Sequence, residues 1–138
     1  MKVVFKLVVL LAIVASLSVG ATAQIKKGKT RPMATKQLMA GLVKPQSTAI
    51  ADGIKAAPAD DKAWTELAIK VALMNEVGYL LMDDGRCPDE VWANAAKAMR
   101  EGTAAALEKI EAKDHAGVQE AMKAASASCG ACHKAHKK

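Results

Sequence analysis

Aromatic side chains are scarce in this chain: two tryptophans, one tyrosine and one phenylalanine among 138 residues, and the phenylalanine, Phe5, stands near the start. Such rings usually dominate the centre of a small domain, so a core of alanine, methionine and aliphatic residues leaves a space that something else must fill. No stretch alternates apolar and polar residues as a half-buried strand does, which argues against sheet architectures. Three cysteines cannot close a disulfide framework by themselves, because pairing leaves one over. The one long apolar run, Leu7 to Val19, falls short of the roughly 20 residues needed to cross a bilayer.

That run has the shape of a secretory signal. Lys2 and Lys6 precede it, and Ala21-Thr22-Ala23, an A-x-A cleavage site, follows it. Residues 1–23 are therefore expected to be removed, leaving one domain over residues 24–138 that begins at Gln24; a retained membrane anchor is the alternative. Losing Lys2 and Lys6 lowers the formal charge from +6 to +4. The expected location is periplasmic or otherwise exported, with any membrane association peripheral.

What is present reads as all-α. Four helical segments of roughly 20 residues are separated by turn signals, which predicts an antiparallel up-down-up-down four-helix bundle. The first spans about Pro32 to Lys55, with Met39, Leu42, Val43, Ile50 and Ile54 on one broad face and a kink or break expected near Gly41 to Pro45. The second opens at Asp60 or Asp61, carries Trp64, Leu67, Val71, Met74 and Leu81 at helical spacing, and stops at Asp83-Asp84-Gly85. The third starts at Pro88 and runs through Trp92, Ala96, Met99 and Ile110. The fourth opens near Asp114 and shows Val118, Met122, Ala125, Cys129, Cys132 and His136 at steps of three and four. In that topology the lysines of residues 26–29 and those of residues 134–138 share one end.

Near the end of the fourth segment stands Cys129-Gly130-Ala131-Cys132-His133. C-x-x-C-H is the pattern of covalent haem attachment: two thiols add across the vinyl groups, and the adjacent imidazole becomes an axial ligand of the iron. At this chain's own frequencies of cysteine and histidine the pattern arises by chance in about one such chain in a thousand. A redox dithiol wants its thiolate at a helix N-terminus, not near the end of a helix in an all-α chain. Zinc wants four ligands around a tetrahedron, and Cys129, Cys132, His133 and His136 crowd along one helix. A disulfide across a three-residue step contributes little and leaves His133 without a role. One covalently bound haem c is the expected cofactor, with Cys129 and Cys132 as thioethers and His133 on the metal.

The chain resembles the class II c-type cytochromes, the cytochrome c prime family and its methionine-ligated relatives. The resemblance is sharpest at "SCGACHKAH" and at "RCPDEVWANA", similar to the proline-acid-tryptophan opening of that family's third helix. It implies a four-helix bundle with one haem, and it permits a homodimer through the first two helices. The family often carries an arginine-glutamine pair ahead of a distal residue on its first helix. Here Lys36-Gln37-Leu38-Met39 replaces arginine by lysine and shortens the spacing by one, and His136 and Lys137 stand where an aromatic and an arginine are common.

The remaining marked residues follow from the haem. Met39 is the candidate sixth ligand, Met33 the second choice, and core filling the plain alternative for Met39. Arg31 and Lys36 are candidate cations for the haem propionates, with a solvated basic tail as the alternative. His136 lies one turn from His133 on the same helix, cannot reach the opposite face of the iron and is expected to pack or face solvent; His115 is expected at the surface. Cys87 has no obvious partner and is expected free and half-buried, an intermolecular disulfide being the alternative. The first function expected is single-electron transfer to a partner acidic at its contact surface, with no nucleic acid involved and no bond-making chemistry. The second is a five-coordinate protein that captures nitric oxide or carbon monoxide. A peroxidase-like enzyme is weaker, since no distal histidine-arginine pair is visible.

Overall fold

The computed structural model describes residues 28–137, so the expected signal segment lies outside the described residues. Among them there are four helices packed against each other and no strand. Helix α1 is one rod of three parts, α-helical at Thr35–Leu38 and Lys44–Gly53 and π-helical at Met39–Val43. The others are α2 over Asp61–Met82, α3 over Glu90–Glu111 and α4 over His115–His136.

Three aspartates start the three long helices in the same way. Asp60, Asp89 and Asp114 stand at the N-caps, and their carboxylates accept from the N–H groups of Ala63, Trp92 and Gly117. Each satisfies one of the donors that a helix start leaves unpaired. Helix α3 thus begins two residues later than the proline at 88 suggests, because Asp89 caps it from outside.

Helix α1 is not broken at Pro45. Proline has no N–H to return to the carbonyl four residues back, and the helix absorbs the loss by widening one turn earlier. The Lys44 N–H reaches back five residues to the Met39 carbonyl, and α-helical geometry then resumes. At its start, Gln37 accepts from the Ala34 N–H at 2.8 Å, so this side chain is used in capping its own helix.

Helix α1 packs on α2, α2 on α3, and α3 on α4. The core runs through Leu38, Ile50, Trp64, Leu67, Val71, Met74, Trp92, Met99, Val118 and Met122. Tyr79 is outside it, 53% exposed, with the Arg100 guanidinium 4.6 Å from its ring centre. Gly102 marks the close crossing of α3 and α4, since a Cβ there would come within 2.9 Å of the Ala125 backbone nitrogen. No helix of the described residues is long and apolar enough to cross a membrane.

Candidate functional site

Helices α1 and α4 face each other across a groove. Ile50 and Ile54 line it from α1, Met122 and Cys129 from α4, and Met74 and Met99 from the helices behind. The enclosed space is about 200 Å³, or about 620 Å³ with its open mouth included. At one end it is pinned: the side chain of Gln119 donates to the Ile54 carbonyl at 2.8 Å, and His115 Nε2 lies 3.0 Å from the same oxygen. His115 is accordingly half-buried and ties α4 to the end of α1, not the surface residue expected, because the Ile54 carbonyl at the helix end needs donors.

On α4 the groove-lining residues Gln119, Met122, Ser126 and Cys129 follow one another at steps of three and four. His133 is the next residue in that row. It is exposed, while Cys129 and Cys132 are half-buried, with Cys132 packed against the core. No disulfide joins the cysteines. Burial pushes the Cys132 thiol up from its ordinary value, and the Cys129 sulfur and the Asp89 charge push it the same way. The first cysteine of the pair, which would carry the attacking thiolate of a redox dithiol, stands in the second half of α4 and not at a helix N-terminus. Nor do any three histidine, cysteine, aspartate or glutamate side chains among the described residues converge to hold a metal ion, which leaves a protein-only zinc site without its ligand set. The face of Gly130 meets open space, with no side chain and no other helix within 4 Å of where a Cβ would stand. Of the three motif residues Cys129 alone lines the groove, and Cys132 and His133 follow one turn along the same helix.

The other expected site residues are dispersed. Met39 is half-buried and packs against the core as the first residue of the π-helical turn, and it is not among the residues lining the groove. Met33 is exposed. Arg31 lies in the open and pairs with Asp83 at 3.1 Å, and Lys36 is exposed. His136 packs: its ring meets Trp92, and its Nε2 lies 3.3 Å from Asp89. Cys87 is half-buried, its thiol donating to the Asp89 carbonyl at 3.4 Å.

Sequence reasoning missed Arg86. It is the one charged residue buried as a whole among the described residues, 4% exposed, in the turn between α2 and α3. Asp84 and Gly85 give that turn its shape by taking left-handed backbone, φ 58° and 72°. The Asp84 carboxylate accepts from the N–H groups of Thr30 and Arg31 and from the Thr30 hydroxyl, which straps the segment leading into α1 across the turn. Burial alone raises the Asp84 carboxyl pKa. The hydrogen bonds from Arg31 and Thr30 and the charge of Arg86 outweigh it, so the net shift is downward.

Compared with known proteins, the chain matches no family, no characterised protein and no solved structure.

Proposed function

We propose that the protein is an exported monohaem c-type cytochrome that passes single electrons, built as an antiparallel up-down-up-down bundle. The observation that carries the reading is the position of Cys129 in the wall of the α1–α4 groove, with Cys132 and His133 following on the same helix. Cys129 and Cys132 would hold the porphyrin through thioethers, His133 would ligate the iron, and the haem would supply one-electron redox chemistry. The chain's own part is to exclude water with Ile50, Ile54 and the three methionines of the groove. It also presents the exposed Lys29, Lys36, Lys134 and Lys137 to an acidic partner. Ile69 and Leu73, exposed one turn apart on α2, would suit a second copy of the chain.

One observation favours the gas-binding alternative. The α1 wall of the groove carries Ile50 and Ile54, whereas Met39 packs elsewhere on the core. An iron left with an apolar neighbour on its far side binds small gases.

The test is production of the full chain in cells able to attach haem to exported proteins, followed by denaturation and extraction. Haem is expected to stay with the polypeptide and to show the spectrum of a saturated thioether-linked porphyrin. The Cys129→Ala, Cys132→Ala double variant should release it. A wild-type chain that carries no covalent haem would sink the reading.

A further inference from the structure

Among the described residues that line the α1–α4 groove, Lys123 alone carries a charge. It stands on α4 one turn beyond Gln119, at the rim, with its side chain 79% exposed. Its partner is Glu120 at 3.8 Å, itself 80% exposed, and an ion pair so open to water holds its members loosely. The ammonium is therefore available to another anion.

Below that rim the groove is apolar. Met74, Met99 and Met122 are buried along its floor, and Ile50 and Ile54 stand on the α1 side. Helix α1 packs on α2 and α4 on α3, so this is the open side of the bundle, pinned at the Ile54 carbonyl. Unbranched thioether side chains re-pack readily, and a floor of three methionines can yield to a flexible chain. The α4 lining runs from Gln119 to Cys129, about 15 Å of helix. Cys129 is the one motif residue to reach it, at the end nearer the C-terminus of α4, and Cys132 and His133 lie further on in that direction. The stretch from Gln119 to Ser126 is thus clear of the motif. An apolar cavity of about 150 Å³ takes up benzene; the 200 Å³ enclosed here has room for one hydrocarbon chain and not for the two of a phospholipid. A narrow apolar slot with a single cation at its rim matches one unbranched chain that ends in a single negative charge.

We infer that the groove between Gln119 and Ser126 binds a fatty acid, its carboxylate on Lys123 and its alkyl chain along the three methionines. The inference does not rest on the haem reading, since no residue of the C-x-x-C-H motif lies in that stretch.

The experiment is isothermal titration calorimetry of the full chain, in the form in which it purifies, with decanoate below its micelle-forming concentration and with decanol as the uncharged counterpart. Decanoate is expected to bind once per chain and about tenfold more tightly than decanol, the gain of one charge-assisted contact. Lys123→Gln should abolish that difference by weakening decanoate alone. Ala51→Trp, which fills the groove from α1, should abolish binding of both while unfolding in urea stays cooperative. Equal affinity for the two in wild type, decanoate binding untouched by Ala51→Trp, or no binding of decanoate at all overturns the inference. Binding confined to chain without haem, or to a monomer in equilibrium with a dimer, would give the groove to the porphyrin or to a second copy and overturns it likewise. Should Ala51→Trp not fold, the methionine methyl NMR resonances of the wild type take its place: shifts at Met74, Met99 and Met122 on adding decanoate support the site, and unmoved resonances overturn it. Covalent haem, present or absent in the same preparation, decides the haem reading separately.

Discussion

Trp92 stands edge-on to His136, ring centroids 5.4 Å apart and planes at 74°, so the first turn of α3 braces the last turn of α4. The indole N–H also donates to the Leu81 carbonyl at 2.8 Å, which adds the end of α2 to the same joint. Three helix ends therefore meet on one side chain. Trp92→Phe should cost about 1–3 kcal/mol in urea unfolding, because it leaves a buried carbonyl without its donor. Trp92→Ala should cost about 3–5 kcal/mol. Hydrogen exchange should show the loss concentrated around residues 130–136, next to the cysteines; uniform weakening of all four helices would contradict the bracing role.

Acid should loosen the strap over the α2–α3 turn. The Asp84 carboxyl pKa is depressed below the ordinary 3.8 by its hydrogen bonds from Arg31 and Thr30 and by Arg86, burial opposing them. A depressed carboxyl contributes stability that is complete above the unfolded-state pKa and disappears as the pH falls through the folded-state value. Unfolding midpoints should accordingly fall below about pH 4, and Asp84→Asn should flatten that decline. Equal acid sensitivity in the variant would assign the decline to other carboxyls.

Much of this was legible in the sequence, for reasons the residues make plain. Trp64, Leu67, Val71, Met74 and Leu81 fall on one face because a helix repeats every 3.6 residues, and all five are buried. Asp60 and Asp114 announce helix starts because few side chains cap so well. Pro45 points to a kink or break because the lost N–H is local information, whereas the widened turn that absorbs it depends on what α1 packs against. Arg86 is illegible in the sequence for a similar reason: an arginine in a turn between acids looks solvated, and only the strap of residues 28–34 buries it. The cysteine pattern pointed to α4, but the groove that Cys129 lines requires α1, which the spacing along α4 could not supply.

If the protein passes electrons to an acidic partner as proposed, their association should weaken as salt rises. Lys29, Lys36, Lys134 and Lys137 are all exposed, and their attraction is screened over about 8 Å at physiological ionic strength. Stopped-flow electron-transfer rates should fall about tenfold between low and high salt, and the paired change Lys134→Gln, Lys137→Gln should flatten the dependence. Rates insensitive to salt in the wild type would make these lysines a solvated tail.

If the chain carries haem as proposed, Met39 decides between carrier and gas binder. It opens the π-helical turn ahead of Pro45, and each residue of helical register turns a side chain by about 100°. The side chain could reach the iron only if that turn directs it from the core into the groove. In the carrier, the reduced wild-type protein should be low-spin and resist carbon monoxide, and Met39→Ala should become high-spin and bind it. A wild-type protein already high-spin and open to carbon monoxide, with Met39→Ala spectrally unchanged but less stable by about 2–5 kcal/mol, would make Met39 core filling. The iron would then face the apolar wall of Ile50 and Ile54, and the gas-binding reading would replace the carrier.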